Sequence, residues 1–193
     1  MSPFYLSHTY KGLGLLKMKL ETKSDHFCTL FLCTGLTSAA ELRRTVLSGK
    51  LPCCLLDAGM ICSSFQVMVA VNKAVISLER KKLVTKSLQT EIIYSLSPST
   101  NISESLRLFG AKDDSNSVVA VFTSDSSDSF LEQEESLKSL VKGLGGEVLQ
   151  DNDFSKTLDL KSLKKVYQIT DKELQVTTLE KAVTTAMSMK HLV

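Results

Sequence analysis

The 193-residue sequence predicts a single α+β domain, and three observations support this prediction. Hydrophobic residues make up 43% of the chain and charged residues 23%, which is typical of a soluble globular protein with one core. Short apolar runs typical of buried strands occur at 27–33 and 118–122. Single helices and groups of helices separate the strand-like runs, a pattern typical of a sheet with helices packed on it.

After the strand at 27–33, the chain next predicts two helices. Thr37 or Ser38 is expected to cap a helix that runs to about Ser48, where Gly49 stops it. The segment 65–78 is apolar, long, and poor in Gly and Pro, which predicts a buried helix.

Two short helices are expected on either side of a Ser-Pro pair. The first covers 88–96 and ends before residues 97–98, because a residue that precedes proline avoids helical geometry. The second begins at Asn101, runs to Phe109 and stops at Gly110.

The start of this second helix has two interpretations. Asn101, Ile102 and Ser103 form an N-x-Ser glycosylation acceptor, which would place the chain in the secretory pathway. The same residues also form a helix start, with Asn101 as N-cap and Glu104 closing a capping box. We favour the cap, because the N-terminus makes a poor signal peptide and the cysteine pattern is that of a reducing compartment.

The second half of the chain predicts two strands and three helices. The final helix is expected to start with a capping box made by Thr177 and Glu180. In order, the expected elements are a strand at 118–122, a solvated loop, a helix over 130–142, a short strand at 147–149, and helices over 160–167 and 177–190.

Several classes of function find no support in the sequence. The three histidines do not adjoin a Ser or Cys in a nucleophile-like context, and no P-loop or dinucleotide-binding motif occurs. The cysteines lack zinc-site spacing and are expected to be small buried thiols; they are Cys28, Cys33, Cys53, Cys54 and Cys62. No apolar run approaches the roughly 18 residues of a membrane span. We therefore expect no catalytic residue, metal, cofactor or membrane anchor.

Polar residues on the helices at 65–78 and 88–96 are the candidate binding residues. Asn72 falls in an apolar sector, so it either pins a neighbouring loop or lies at the rim of a ligand-binding groove. Glu91 either is exposed, pairs with a lysine, or faces the same groove. The basic link, which includes Arg80 and Lys86, is either a solvated connection or a patch that contacts phosphates.

The last helix has an apolar face that is wider than packing on one core requires. Its apolar residues span about 160°, against the roughly 100° needed for a single core; among them are Leu179, Val183 and Met187. Either one edge of this helix faces a partner, or the helix is sunk into a groove of its own domain.

Residues 1–17 are expected to form a flexible, dispensable leader, because Met18 stands immediately before the first strand-like pattern. The remaining residues, 18–193, are expected to form the single domain.

The stretches FQVMVAVNKAV and KSLQTEIIYSLSPSTNISESLRLFG, between Phe65 and Gly110, resemble the PRPK-binding protein family. AAELRR at 39–44, SLKKVYQIT at 162–170 and the final helix ending in SMKHLV match that family in place and type. The resemblance covers roughly residues 18–193 and implies a mainly antiparallel sheet with helices packed on it. The segment 53–62 is less typical of the family.

The resemblance implies a non-catalytic subunit of the EKC/KEOPS complex. Such a subunit binds PRPK, an atypical kinase/ATPase, and through it the other subunits. The complex makes threonylcarbamoyladenosine beside the anticodon of ANN-decoding tRNAs, and members of the family are implicated in gripping the tRNA 3′ CCA end. The cytoplasm and nucleus are the expected location.

The matched positions suggest where these partners bind. The expected tRNA-binding residues are Asn72, Lys73, Arg80, Lys86, Thr90 and Glu91, because single-stranded ends are recognised by hydrogen bonds to base edges and by phosphate contacts. The expected kinase-binding residues are Leu179, Val183 and Met187. Two alternatives stay open, namely a kinase regulator that never contacts RNA and a small enzyme with unrecognised chemistry.

Overall fold

A six-stranded antiparallel sheet forms the centre of the computed structural model, which describes residues 10–12, 15–19, 26–125, 130–149 and 153–190. The strands are β1 (Tyr10–Gly12), β2 (Leu15–Lys19), β3 (Phe27–Thr34), β4 (Cys54–Asp57), β5 (Val118–Ser124) and β6 (Glu147–Val148). Their order is β1-β2-β3-β5-β4, and β6 pairs with the end of β3. Every pair is antiparallel, which confirms the predicted fold class.

Strands β1 and β2 extend the sheet into the segment for which the sequence predicts a leader. β1 pairs with β2, and β2 pairs with β3 through Leu16 opposite Leu30 and Met18 opposite Cys28. Residues 10–12 and 15–17 therefore belong to the sheet. The leader prediction for residues 1–9 and 13–14 lies outside the described residues.

Helices cover both faces of this sheet. They are α1 (Ala40–Leu47), α2 (Ser64–Glu79), α3 (Leu88–Leu96), α4 (Ile102–Phe109), α5 (Phe130–Gly143), α6 (Leu160–Tyr167), α7 (Asp171–Leu174) and α8 (Leu179–Met189). Short 3-10 turns occupy Ala58–Met60 and Phe154–Lys156. In the described part of the chain, no helix combines the length and hydrophobicity needed to cross a bilayer.

The alternation of side chains along β3 divides the core into two layers. Cys28, Leu30 and Leu32 face the layer covered by α2, α3, α4, α6 and α8. Phe31 and Cys33 face the layer covered by α1 and α5. Because successive strand residues point to opposite faces, one apolar run supplies both layers.

Strand β4 lies in the segment that is less typical of the family. It pairs with β5 through Cys54 opposite Val121 and Leu56 opposite Val119. Cys53 and Cys54 are buried and free, as predicted for thiols, and burial raises the pKa of both. Such thiols are poor nucleophiles and are part of the core.

Three of the predicted caps need correction. At α1 the N-cap residue is Ala39 and not Thr37 or Ser38, and no side-chain hydrogen bond caps this helix. Asn101 does cap α4, since its side chain accepts from the N–H of Glu104 at 3.0 Å. Glu104 does not close the box, because its carboxylate accepts from the Ser99 hydroxyl, and that hydroxyl accepts from the N–H of Asn101. At α8 the capping residue is Thr178 and not Thr177, because the backbone turns into the helix one residue later.

Candidate functional site

Helices α2 and α3 pack against each other, as the predicted groove requires, and Asn72 lies half-buried on α2. Its Oδ1 atom is buried and accepts no hydrogen bond from any described residue. Asn72 therefore does not pin a loop through this oxygen. A buried acceptor without a donor costs about 1–3 kcal/mol, which favours a position at which a ligand supplies the donor.

The half-buried Lys73 is the next residue on the same helix. Burial lowers the pKa of its ammonium group, and the nearby Glu91 carboxylate opposes that shift. Lys73 and Glu91 are therefore neighbours across the α2–α3 contact, and their place in one binding groove stays a prediction.

Glu91, in contrast, is occupied inside the chain. Its side chain is buried, with 2% of the residue exposed, and its Oε2 atom accepts three hydrogen bonds. The donors are the N–H of Val84 at 3.1 Å, and the N–H and hydroxyl of Thr85 at 2.8 and 2.7 Å. Glu91 fixes the loop between α2 and α3, so Glu91 rather than Asn72 is the loop-pinning residue.

Thr90 also serves the local structure. It forms a capping box with Ser87, in which the Ser87 hydroxyl accepts from the N–H of Thr90 and the Thr90 hydroxyl accepts from the N–H of Ser87. Its direct contact with RNA stays a prediction, because this hydroxyl is engaged in the cap.

The basic link keeps its cations at the surface. Arg80 and Lys86 are exposed. Between them Lys81 adopts a left-handed conformation with φ of 55°, and the N–H of Lys82 bonds to the carbonyl of Ser77 at 2.8 Å. This is the Schellman ending of α2, with a lysine where glycine is usual. Arg80, Lys81 and Lys82 are therefore presented by a fixed turn.

The residues predicted for kinase binding divide into two groups. Val183 and Met187 are 0% and 2% exposed and belong to the core of the chain. Leu179 is half-buried at the start of α8. The helix is thus sunk into its own domain over most of its apolar face, and the role of these three residues in kinase binding stays a prediction.

Three apolar residues at the ends of α2 and α8 keep part of their surface open, and we call Phe65, Leu179 and Met189 the α2–α8 edge. Phe65 is 39% exposed and Met189 is 46% exposed. The two helices run in the same direction, because Glu180 influences the pKa of Cys62 just before α2, while Lys73 influences that of Lys190 at the end of α8. An exposed apolar edge on two packed helices is typical of a protein interface.

Gln66, which helical winding places on a polar stripe, is fully buried. Its amide donates to the carbonyl of Met60 at 3.2 Å and to the hydroxyl of Tyr167 at 3.1 Å. Tyr167 in turn donates to the carbonyl of Leu96. This network joins α2, α3 and α6, and Met60, which accepts from Gln66, also lines the cavity described next.

A cavity of about 560 Å³ opens between α4 and α6. The turn before α4 and the 3-10 turn after β4 complete it, and none of the six residues predicted to bind tRNA lines it. The lining residues are Asp57, Gly59, Met60, Ser97, Pro98, Ser99, Glu104, Arg107, Leu108, Lys112, Asp159, Ser162, Lys165, Val166 and Gln168.

The three carboxylates of this cavity are engaged within its wall. Asp57 accepts from the N–H of Gly59 at 3.0 Å and pairs with Lys112 at 3.3 Å. Asp159 accepts from Ser162 at both oxygens, and the Ser162 hydroxyl lowers the pKa of this carboxyl, so it is ionised at neutral pH. Glu104 accepts from Ser99 through Oε2, and no donor among the described residues bonds to its other oxygen.

Two cations of the cavity have no such partner. Arg107 of α4 and Lys165 of α6 form no ion pair or hydrogen bond with any residue in the described ranges. Because the carboxylates are engaged and these two cations are not, the cavity can hold an anionic group between α4 and α6. No sequence signal marks this site directly, since its walls come from four separate segments.

Comparisons with known proteins identify the family of the chain. A family model described as kinase binding protein CGI-121 matches residues 33–191. An EKC/KEOPS complex subunit TPRKB of Danio rerio is 31% identical over 177 residues, which are 92% of this chain and 98% of that protein. An EKC/KEOPS complex subunit CGI121 of Candida glabrata is 28% identical over 178 residues, with 92% and 98% covered. The chain belongs to the CGI-121 family of kinase-binding proteins.

Proposed function

We propose that this chain is a non-catalytic EKC/KEOPS subunit of the cytoplasm and nucleus that binds a PRPK-type atypical kinase and holds the 3′ end of tRNA. The names of its relatives and of its family support membership of the complex and binding of a kinase. The observation that carries the RNA half is the cavity in which Arg107 and Lys165 have no partner among the described residues. Threonylcarbamoylation is then the reaction of the complex, to which this chain contributes binding alone.

The α2–α8 edge is the surface we assign to the kinase. Buried Val183 and Met187 hold α8 in place, while Phe65, Leu179 and Met189 present apolar surface to the outside. Apolar anchors near the centre of an interface contribute most of its binding free energy.

Replacing both Phe65 and Met189 with glutamate is expected to weaken kinase binding at least about tenfold, which corresponds to about 1.4 kcal/mol. Leu47→Glu is the control, because Leu47 is 80% exposed on α1, which covers the opposite face of the sheet. The measurement is titration of the purified kinase by calorimetry, with circular dichroism to verify folding. If the double variant bound the kinase with unchanged affinity, the kinase-binding surface would not be this edge.

The cavity suits the end of a single strand for two chemical reasons. Arg107 and Lys165 are available to phosphate oxygens, since their charges are not used by the described part of the chain. The open oxygen of Glu104 is an acceptor for an exocyclic amine, and the cytosines and adenine of a CCA end all carry one. Exposed Arg80 and Lys86 remain proposed phosphate contacts outside the cavity.

Arg107→Glu and Lys165→Glu are expected to lower tRNA affinity, and each phosphate that is no longer neutralised should reduce the slope of log K against log salt by about 0.7. Binding is measured by fluorescence anisotropy with intact tRNA and with tRNA that lacks CCA. Lys50→Glu, at an exposed lysine between α1 and β4, is the control. The double substitution of Lys73→Glu with Lys86→Glu tests in parallel whether tRNA binds at α2 and α3 instead.

One observation favours a second function, in which the chain regulates the kinase without RNA contact. The formal charges that line the cavity balance, three positive against three negative, and no aromatic ring among the described residues lines it for base stacking. The same titrations separate the two functions. Equal affinity for tRNA with and without CCA, unaffected by either set of charge reversals, would favour the regulator.

A further inference from the structure

Four exposed cations lie close together in the chain on the basic link, residues 80–86, between α2 and α3. They are Arg80, Lys81, Lys82 and Lys86, and the link contains no acidic residue. None of these four side chains forms an ion pair or a hydrogen bond with any residue in the described ranges. Because the described chain does not pair these charges, the link is a surface that attracts anions.

The backbone of the basic link is fixed at two places. Near its start, Lys81 adopts the left-handed conformation that ends α2. In its second half, Glu91 of α3 accepts from the N–H of Val84 and from the N–H and hydroxyl of Thr85. Cations on a fixed backbone lose less conformational freedom on binding than cations on a mobile loop. The link is therefore prepared for a partner whose charges are themselves held in a regular array.

The polar groups beside these cations are already used within the chain. Glu91 accepts from the link through Oε2, and the hydroxyls of Thr85 and Thr90 are engaged with Glu91 and with the Ser87 cap. Base edges are recognised by free donors and acceptors, whereas phosphates are bound by cations. The basic link therefore has the chemistry of a phosphate contact that does not read bases.

The basic link and the cavity between α4 and α6 lie at opposite ends of α3. Ser97, which follows α3, lines the cavity, whereas Lys86 precedes the helix. Strand β4 has the same orientation, since Cys54 at its start donates to the carbonyl of Gln89 at 3.4 Å and Asp57 at its end lines the cavity.

The lengths of the two helices give the separation of these sites. Gln66 near the start of α2 and Leu96 at the end of α3 are joined through Tyr167, so both helices run from the cavity end to the link. The nine residues of α3 and the sixteen residues of α2 span about 14 and about 24 Å at 1.5 Å per residue. The cavity and the link are therefore about 14–24 Å apart.

This separation favours a double-stranded partner at the link. Phosphates of one strand of a double helix are spaced by about 3.4 Å along the axis, so the separation corresponds to roughly four to seven stacked nucleotides. An RNA with the three nucleotides of its CCA end in the cavity then reaches the link with its paired stem. A duplex also offers a charge every 1.7 Å or about that along its axis, and it is recognised through phosphates and shape.

We propose that the basic link binds the phosphate backbone of an RNA duplex whose single-stranded 3′ end lies in the cavity between α4 and α6. This inference rests on the proposed function and adds a paired stem to what the chain recognises. Contact at the link is independent of base sequence. The link and the cavity together select an RNA by the distance between its stem and its 3′ end.

The test uses the full chain with a hairpin that carries a 3′ CCA overhang and with an unpaired strand of five nucleotides that ends in CCA. Arg80→Glu combined with Lys82→Glu is expected to lower hairpin affinity at least about tenfold near 0.1 M salt. The slope of log K against log salt should fall by about 1.8, which is about 0.9 for each of two phosphates. Affinity for the unpaired strand should stay within about twofold, because this strand is too short to reach the link.

The matched control is Lys50→Glu combined with Lys142→Glu, which makes the same charge change at exposed lysines outside α2, α3 and the link. It should leave hairpin affinity unchanged. Unchanged hairpin affinity in the Arg80 and Lys82 variant would overturn the proposal, and so would an equal loss for the unpaired strand. Lower kinase affinity with hairpin affinity retained would also overturn it, and would make the link a surface for an acidic protein.

Failure of this proposal is distinguishable from failure of the proposed function. If the unpaired strand does not bind the unsubstituted chain, the cavity does not hold a 3′ end. A hairpin without the overhang then tests the link alone, and its loss of affinity in the Arg80 and Lys82 variant would still support the duplex contact. If that variant fails to fold, Arg80→Gln combined with Lys82→Gln replaces it, with circular dichroism to verify folding.

Discussion

Val183→Asp is expected to leave the chain without a stable folded state. Val183 is fully buried among the residues that α8 packs against α2. Its side chain contributes about 1.5–3 kcal/mol by burial, and an unpaired buried carboxylate costs several kcal/mol more. This approaches the roughly 5–15 kcal/mol by which a typical domain is stable. Urea denaturation followed by circular dichroism measures the loss.

Thr185→Asp is the matched control, because Thr185 is exposed on the same helix and receives the same charge. The free energy of unfolding of this variant is expected to lie within about 0.5 kcal/mol of that of the unsubstituted chain. A cooperative transition of Val183→Asp at the same urea concentration would contradict the assignment of Val183 to the core. Loss of kinase binding in Val183→Asp therefore reports unfolding and does not locate the interface.

Glu91→Ala is expected to lower the free energy of unfolding by about 3 kcal/mol. It removes the acceptor of three hydrogen bonds, so that the N–H groups of Val84 and Thr85 lose their shared partner. An unsatisfied buried donor costs about 1–3 kcal/mol, and bonds to a charged acceptor are the stronger ones. Urea denaturation again gives the magnitude.

Glu91→Gln should retain part of that stability, because an amide oxygen still accepts from the loop, whereas Glu132→Ala at an exposed site of α5 should change little. The pair of Glu91 variants also separates structure from recognition. Unchanged stability together with lost tRNA affinity would make Glu91 a direct RNA contact. Lower stability with tRNA affinity retained by the folded fraction would make it a loop-fixing residue.

The sequence predicts most helices correctly, because their signals are local. The bounds of α3 (Leu88–Leu96) and α6 (Leu160–Tyr167) agree with the predicted ones, and α2 (Ser64–Glu79) differs by one residue at each end. A proline after α3 and the apolar spacing of α2 determine these bounds within a few positions.

Two of the missed elements are too short for a periodic signal, and one of them depends on a distant partner. Strand β4 (Cys54–Asp57) has four residues, and it becomes a strand by pairing with β5, which lies far later in the chain. Helix α7 (Asp171–Leu174) is a single turn. Neither length supports a periodic signal, so pattern reasoning passes over both.

The candidate site is predictable only where one helix decides it. Helical winding of α2 correctly predicts apolar neighbours for Asn72. It wrongly places Gln66 on a polar face, because Gln66 bonds to Tyr167 on α6, a partner that winding of one helix cannot reveal. Arg107 and Lys165 share a cavity although they are on different helices, α4 and α6. Such a site exists only after the segments that build it have packed.

The hydrogen bonds of Tyr167 also constrain the order in which parts of the chain can fold during synthesis. They join residues 101 and 71 positions apart, and α2 is covered by α8 still later in the sequence. Closing such distant contacts is slow, because a long loop must be ordered before any contact rewards it. The part of α2 that packs on α6 and α8 therefore emerges early and stays exposed until those helices are synthesised, whereas β3 and α3 can pack on α2 before them.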